Sequence, residues 1–368
     1  MAPRKDALDK ETTAKIEKLA ESVLKTVGTG KNPSLDIPVR SLANVTWSEK
    51  KRLVELGKQK QKRYFFNVSM ARKFMQTFLV SEACKELIDS GKTTSIRDLY
   101  YVTKHTIGDT RQNTFEDQDE SDPIIEDLEV TVDALREELH LFADPKGAMV
   151  GPITIVDSGD TIDLRRMGSG GWSVPSIVEE NVITFRKHEA KYVLLVEKAA
   201  VWKRFNEDKF WKHNNCIIVH GGGQPPRGVR RLVQRLHREL KLPVYVLVDN
   251  DPWGFYIYSV LKQGSINLAF ESMRMAVPDA RFVGLSSFDK DKYQLPINVS
   301  IKMDDGDNNR AKQMLAYPWF KQARWQREIQ EMVKSGLKFE LEALSRRGIS
   351  FITEEYLPKK LKDRDWLE

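Results

Sequence analysis

The sequence predicts a multidomain chain of mixed class, α+β in its first half and α/β in its second. Three observations carry this. The chain has 368 residues, enough for two or three domains with separate cores. Its first half reads as amphipathic helices followed by two short strand-like runs. Its second half alternates apolar, β-branched runs of strand length with helical segments, the pattern of a parallel sheet with crossover helices.

Residues 8–27 place Ile16, Leu19, Ala20, Val23 and Val27 at helical spacing, and Gly28, Gly30 and Pro33 end the segment. Thr46-Trp47-Ser48-Glu49 reads as a capping box opening a short helix. From 69 to 89 the positions Phe74, Phe78, Leu79, Cys84 and Leu87 fit another helix, which Gly91 breaks. Ser95 caps the next, running to about residue 105. Helix, short turn and helix make a helix-turn-helix arrangement. A third helix is expected over about 123–141, opened by Asp122-Pro123. Residues 153–156 and 161–164 then read as strands joined by the turn Asp157-Ser158-Gly159-Asp160. Helices followed by a β-hairpin make a winged helix (CAP-like), an element built to approach DNA, over residues 69–168. Residues 1–68 form an N-terminal extension that could dock on its own core or on a partner. Gly168-Ser169-Gly170-Gly171 opens a linker over 169–188.

In the second half, residues 191–196, 216–220 and 244–248 read as strands buried on both faces. The first ends in Glu197, the second in His220 and three glycines, the third in Asp249-Asn250-Asp251-Pro252-Trp253-Gly254. Parallel strands bring their carboxyl ends to one edge, where open α/β sheets bind ligands, so Glu197, Asp249 and Asp251 can converge. Two acids one residue apart can hold a hard divalent cation through oxygen. A strand-to-helix turn with an Asp N-cap fits the same residues, and at this level both readings stand. The chain from Trp319 onward is helical and is expected to pack around this domain, residues 189–368.

Lys and Arg number 59 against 53 Asp and Glu, a net charge of +6, a mild excess that fits a polyanionic partner. Basic residues crowd the first 63, from Arg4 and Lys5 to Lys60, Lys62 and Arg63. Residues 116–138 are acidic, from Glu116 to Glu138; they read as a solvated loop leading into a helix, or as a block that keeps DNA off the wrong face. Cys84 and Cys216 supply neither a disulfide framework nor Cys-x-x-Cys spacing, as in a reducing compartment. No apolar run is long enough for a bilayer, and no apolar leader is read at the N-terminus. A cytoplasmic, nucleoid-associated protein with no membrane partner is expected.

Gly221-Gly222-Gly223-Gln224-Pro225-Pro226 fails the dinucleotide fingerprint because Pro226 replaces the third glycine, and Gly30-Lys31 is followed by Asn32, so no P-loop exists. The glycines let backbone approach another segment or DNA. After them, Arg227, Arg230, Arg231, Arg235 and Arg238 share one helical face, with Val229, Leu232, Val233, Leu236 and Leu240 on the other. The arginine face either meets phosphates or is solvated; Arg227, Arg230, Arg231 and, beside them, His220 are the DNA-contact candidates. His188 and His213 read as structural. Asp304-Asp305-Gly306-Asp307 lacks EF-hand spacing and reads as a turn.

A strand ending in Glu197 followed by a strand ending in Asp249-x-Asp251 resembles a Toprim domain, the Rossmann-like metal-binding module of topoisomerases, some primases and some nucleases. Leu195-Val196-Glu197-Lys198 together with Asp249-Asn250-Asp251-Pro252-Trp253-Gly254 resembles a narrower family, the A subunits of type IIB topoisomerases (DNA topoisomerase VI), relatives of the meiotic double-strand-break protein. Ser95-Ile96-Arg97-Asp98-Leu99-Tyr100-Tyr101 is similar to that family's Arg-Asp-x-x-Tyr motif. The match implies Tyr101 as nucleophile and Arg97 as its companion. Residues four apart share a helical face, while Tyr100 points roughly 100° away. A free phenol has a pKa of about 10; a guanidinium and a metal-bound phosphate favour its developing charge. Adjacent helical tyrosines equally fit one core and one surface residue.

The resemblance further implies Mg²⁺ on Glu197, Asp249 and Asp251, and transient double-strand breaks through 5′-phosphotyrosyl links that relax or decatenate DNA. It implies a homodimer in which each tyrosine faces the other copy's metal. It also implies an A2B2 heterotetramer with a B-type ATPase subunit, which binds the ATP and is contacted by the N-terminal part of this chain. Two other functions fit the residues: a Toprim nuclease that uses water, with Tyr101 as packing, and a winged-helix DNA-binding regulator with a degenerate metal domain.

Overall fold

The computed structural model describes residues 2–368, with side chains from residue 7 onward; Arg4 and Lys5 of the basic run lie outside the described side chains. The chain divides into two compact units, residues 1–44 with 56–144, and residues 45–55 with 145–368.

The first unit is helical. Helix α1 (Ala2–Gly28) buries Ile16 in a core with Val80, Cys84, Ile88, Leu99, Ile125 and Leu128, and leaves Leu24 and Val27 exposed. Strand β1 (Ser34–Pro38) pairs antiparallel with a later strand, Lys60–Tyr64. Between them β2 (Val45–Ser48) and β3 (Leu53–Leu56) form a hairpin grouped with the second unit. The short helix expected from the capping box is therefore not formed. The Ser48 hydroxyl accepts instead from the Lys51 amide at 3.3 Å within the turn. Val45, Trp47 and Val54 favour extended backbone, Leu53 and Val54 are buried, and Trp47 packs on Trp319 with ring centres 5.9 Å apart.

After β4 (Lys60–Tyr64), α2 (Val68–Ser90) is capped by the Asn67 side chain and stopped by Gly91 at φ +64. Strand β5 (Thr94–Ser95) leads into α3 (Ile96–Thr103), whose first turn is capped by Ser95 accepting from the Asp98 amide at 3.0 Å. Helix α4 spans Gln118–Val132, beginning ahead of the expected Asp122-Pro123 start and ending early where Asp133 turns left-handed. Strand β6 (Leu141–Phe142) pairs in parallel with β5 and closes the unit. The acidic block is a solvated loop only at its start, where Glu116 and Asp117 are exposed ahead of α4. Asp127 is buried and takes Arg40 at 3.0 Å and Arg63 at 2.6 Å, and Glu129 takes Arg136 at 3.1 Å. Buried carboxylates require such partners, and the basic N-terminal segment supplies two of them.

In the second unit, β7 (Ala148–Val150) precedes the expected hairpin, β8 (Ile153–Asp157) and β9 (Asp160–Asp163). Its turn residues Ser158 and Gly159 both have positive φ, as tight hairpin turns need. The hairpin pairs with β11 (Ile183–His188) in a three-stranded sheet of order β11-β8-β9, so it groups with the second unit rather than with the helices. The stretch expected as linker thus contains β11 and, before it, β10 (Trp172–Ser173), whose Trp172 is buried.

The main sheet has the order β10-β7-β13-β12-β14-β15. Its members β12 (Tyr192–Val196), β13 (Cys216–His220), β14 (Val244–Leu247) and β15 (Arg281–Gly284) run parallel, and β7 is antiparallel to β13. Buried on both faces, these strands read as continuous apolar runs. Helices α5 (Ala199–Glu207) and α6 (Phe210–His213) connect β12 to β13, and α7 (Arg227–Leu240) connects β13 to β14. Helices α8 (Pro252–Gln263) and α9 (Ser272–Met275) lead to β15. Among the remaining elements, α10 (Asp289–Lys292) precedes α11 (Asp305–Ala316), α12 (Ala323–Ser335) and α13 (Leu357–Lys362). The Asp304–Asp307 turn is a capping box opening α11. Tyr356 and Leu357 sit in the same core as Leu194, Val196 and Leu247.

Candidate active site

On α3 the two tyrosines part as helical geometry dictates. Tyr100 is buried and donates to the Glu116 carbonyl at 2.9 Å, with the Lys104 ammonium 2.7 Å from its oxygen. Tyr101 is 60% exposed, its ring edge-on to that of Tyr100 with centres 5.0 Å apart. Arg97 is exposed one turn earlier, on the face that four-residue spacing shares with Tyr101. No hydrogen bond joins the two among the described residues.

The acids gather in the other unit. The chain runs from β12 outward to β13, then back across to β14 on the other side of β12. The gap between β12 and β14 is therefore the topological switch point, whose carboxyl edge is the binding crevice of open α/β sheets. Glu197 follows β12 and Asp249 follows β14. The Glu197 amide donates to the Leu247 carbonyl at 3.0 Å, and Glu197 Oε2 accepts from the Asp249 amide at 3.0 Å. Asp249 is buried; its Oδ1 accepts from the Leu341 amide at 2.8 Å and its Oδ2 lies 2.9 Å from Lys198 Nζ. Asp251 caps α8, accepting from the Gly254 amide at 2.5 Å. The cap reading is met at Asp251, through Oδ1, while Asp249 lies within the cluster beside Glu197 and Lys198.

Burial, then the neighbouring Asp249 and Asp251 charges, push the Glu197 carboxyl up to about 7. Burial raises Asp249 to about 6 even though Lys198 pulls the other way. Asp251 is raised by burial too, with the Gly254 amide and Lys338 opposing. Carboxylates that penalise one another, carry only oxygen donors and share a crevice suit a hard divalent cation. As the side chains stand, no three acidic, His or Cys groups among the described residues form a closed cage; an ammonium, Lys198, takes Asp249 instead.

The second carboxylate layer was not legible in the motif. Asp307, at the capping box, is buried against Lys338 at 2.6 Å, and both act on Asp251. Behind the loop, Asn250 donates to Ser287 Oγ at 3.0 Å, while Glu328 accepts from the Ser287 amide and, at 3.0 Å, from Ser286 Oγ. The arginine face of α7 departs from the phosphate-facing expectation. Arg227 pairs with Glu271, Arg231 with Glu179 at 2.8 Å, Arg235 with Glu239 at 2.7 Å and Arg238 with Glu180 at 2.6 Å. Arg230, Arg231 and Arg235 are buried. Three acids from outside the helix, with Glu239 on it, consume this face. His220 is half-buried beside the Trp202 ring, and burial lowers its pKa. The Gly221–Gly223 loop approaches protein: the Gly223 amide donates to the Glu197 carbonyl at 2.9 Å.

Three families match along the chain. Residues 72–141 match the type IIB DNA topoisomerase family, and residues 146–189 match the all-beta domain in DNA topoisomerase VI alpha subunits. Residues 192–361 match the Toprim domain of the topoisomerase 6 A-subunit/Spo11 family. The chain is 46% identical to the A subunit of type 2 DNA topoisomerase 6 from Pyrococcus horikoshii, over 95% of this chain and 93% of that one. It is 40% identical to the protein of the same name from Hyperthermus butylicus, over 98% and 96% of the two chains. It is 34% identical to the A3 subunit of DNA topoisomerase 6 from Oryza sativa subsp. indica, over 96% of this chain and 78% of that one.

Proposed function

The chain belongs to the A-subunit family of type IIB DNA topoisomerases, and from that premise we propose that it cuts and reseals duplex DNA by transesterification, with Tyr101 as nucleophile. The observation that carries the reading is the exposed Tyr101 beside a buried twin, on a capped helix bearing Arg97 one turn earlier. Its hydroxyl oxygen attacks a backbone phosphorus and gives its proton to solvent, the bond from phosphorus to the 3′ oxygen breaks, and that oxygen takes up a proton. A 5′-phosphotyrosyl ester and a 3′-hydroxyl result. The ester conserves the bond, so resealing is the reverse step.

Arg97 offers a planar fork for the phosphate oxygens. Glu197, Asp249 and Asp251 would hold Mg²⁺, which when bound neutralises phosphate charge and favours departure of the leaving oxygen. Backbone bonds hold Glu197 and Asp249 together at the switch point of a Rossmann-like parallel sheet. In the helical unit, α2, α3 and α4 serve as a helix-turn-helix platform that presents Tyr101 to the duplex; the β8–β9 hairpin is no wing of it, since it groups with the other unit.

We assign the chain a homodimer in which each Tyr101 works with the acids of the other copy. The relatives are named as A subunits, which supports a separate B-type ATPase partner in an A2B2 assembly, and the exposed Leu24 and Val27 on α1 support residues 1–68 as its docking surface. No helix is long and apolar enough to cross a membrane among the described residues; the proposed place of work is the nucleoid.

A plasmid-cleavage assay of the assembled enzyme tests the nucleophile. Tyr101→Phe should abolish both cleavage and covalent DNA–protein adducts while DNA retention in a filter assay is kept. A Phe variant that still cuts would mean water is the nucleophile and the chain is a nuclease. Binding kept in both, with no cleavage by the native chain under any Mg²⁺ condition, would favour a DNA-binding regulator.

A further inference from the structure

Lys198 follows Glu197 directly and opens α5. Its ammonium meets three carboxylates that come from two distant stretches of chain: Asp249 at 2.9 Å, Glu340 at 3.2 Å and Glu342 at 3.2 Å. An ammonium has three donors, and these acids match them in number. The three differ in surroundings. The Asp249 side chain is 4% exposed, those of Glu340 and Glu342 52% and 44%, so one partner lies inside the crevice and two at its rim.

The rim pair is not loosely placed. Leu341, between the two glutamates, is buried, and its amide donates to Asp249 Oδ1 at 2.8 Å. That bond fixes the Glu340–Glu342 segment against one oxygen of Asp249, while Lys198 holds the other. The ammonium therefore has a preformed place to rest on either side, differing by a small swing of a flexible four-carbon stem.

We propose that Lys198 is a built-in counter-ion that competes with the divalent cation for Asp249, and that Glu340 and Glu342 receive its ammonium when the metal binds. The inference rests on the metal-site reading given above. A divalent ion on Asp249 Oδ2 would sit close to the ammonium 2.9 Å from that oxygen, a repulsion that a low-dielectric crevice enlarges. Metal uptake therefore drives Lys198 off Asp249. The rim glutamates lower the cost of that displacement by keeping the ammonium paired. Lys198 thereby sets how tightly the site takes up metal, and keeps the acids neutralised when it is empty.

Isothermal titration of Mg²⁺, with Mn²⁺ as a second probe, into the full chain without DNA decides this at low salt and neutral pH. Lys198→Met removes the competitor, so Mg²⁺ should bind about tenfold more tightly, about 1.4 kcal/mol. Glu340→Gln with Glu342→Gln strands the ammonium on Asp249, so binding should weaken severalfold. In the Lys198→Met background the same glutamine pair should lose most of its effect, because two acids coupled only through Lys198 are non-additive with it. Thermal melts of each variant confirm folding. Equal or weaker binding in Lys198→Met overturns the proposal, as does an undiminished glutamine effect in that background, which would reflect bulk charge alone. A native chain that binds no Mg²⁺ above the level of Asp249→Asn overturns the metal site itself, and the proposal with it.

Discussion

At Glu197 and Asp249 the state of a single proton is tied to the stability of the whole unit. Both carboxyls are raised in the fold, Glu197 from its ordinary 4.5 to about 7 and Asp249 from 3.8 to about 6, burial being the first cause in each. The folded chain thus binds more protons than the unfolded chain between the ordinary and the raised values. Stability then falls as pH rises through that window and levels off above it. The stabilising protonated form is fully present below about pH 4 and lost above about pH 7. At the proposed metal site a divalent cation would replace the missing protons and bind the ionised form. Mg²⁺ should therefore raise the melting temperature clearly at about pH 7.5 and scarcely at about pH 5. Differential scanning fluorimetry across that range reads it directly. Glu197→Gln should flatten the metal-free slope; an equal Mg²⁺ shift at both pH values would show that the ion binds elsewhere.

Helix α8 shows how an element, rather than a side chain, sets the site. Its first turn lies so close to the Asp249 loop that a Cβ on Gly254 would stand 2.5 Å from the Asp249 carbonyl oxygen. The same residue's amide donates to Asp251, the helix cap. Gly254→Ala must push the helix or the loop, and overpacking of this kind costs about 1–3 kcal/mol. Thermal melts should show that loss, and Mg²⁺ titration a weaker site; unchanged affinity with a lowered melting temperature would place the glycine's role in packing alone. This closeness was invisible in the sequence, where Gly254 read only as a turn residue. What could be read were features with local causes. The buried parallel strands announced themselves as continuous apolar runs, the β8–β9 turn through Ser158-Gly159, and α3 through the Ser95 cap. What could not be read depended on distant partners. Trp319 holds Trp47 in a hairpin that its own capping-box residues do not demand. Glu179, Glu180 and Glu271 neutralise an arginine face that looked open along α7. Glu340 and Glu342 find Lys198 only through the fold.

At the scale of the whole molecule, the proposed nucleophile and the acids are carried by different compact units, Tyr101 in one and Glu197, Asp249 and Asp251 in the other. Such a division allows one active site to be assembled from two copies of the chain. The arrangement proposed above makes a distinctive demand on mixed dimers. Tyr101→Phe and Asp249→Asn each inactivate every site in a pure dimer. Co-expressed and purified as the heterodimer, they differ according to how sites are built. If each tyrosine serves the other copy's acids, one site of the heterodimer joins two damaged halves and the second joins an intact Tyr101 to an intact acid set. That second site cuts one strand. If each site were built within one copy, both sites of the heterodimer would carry one lesion and neither would cut. Supercoiled plasmid incubated with the mixed complex should therefore accumulate nicked circles with one covalent protein, without linear product. No nicking from a heterodimer whose two tagged copies are present in equal amounts would assign the site to a single copy, because neither partner's intact half would then be reachable by the other.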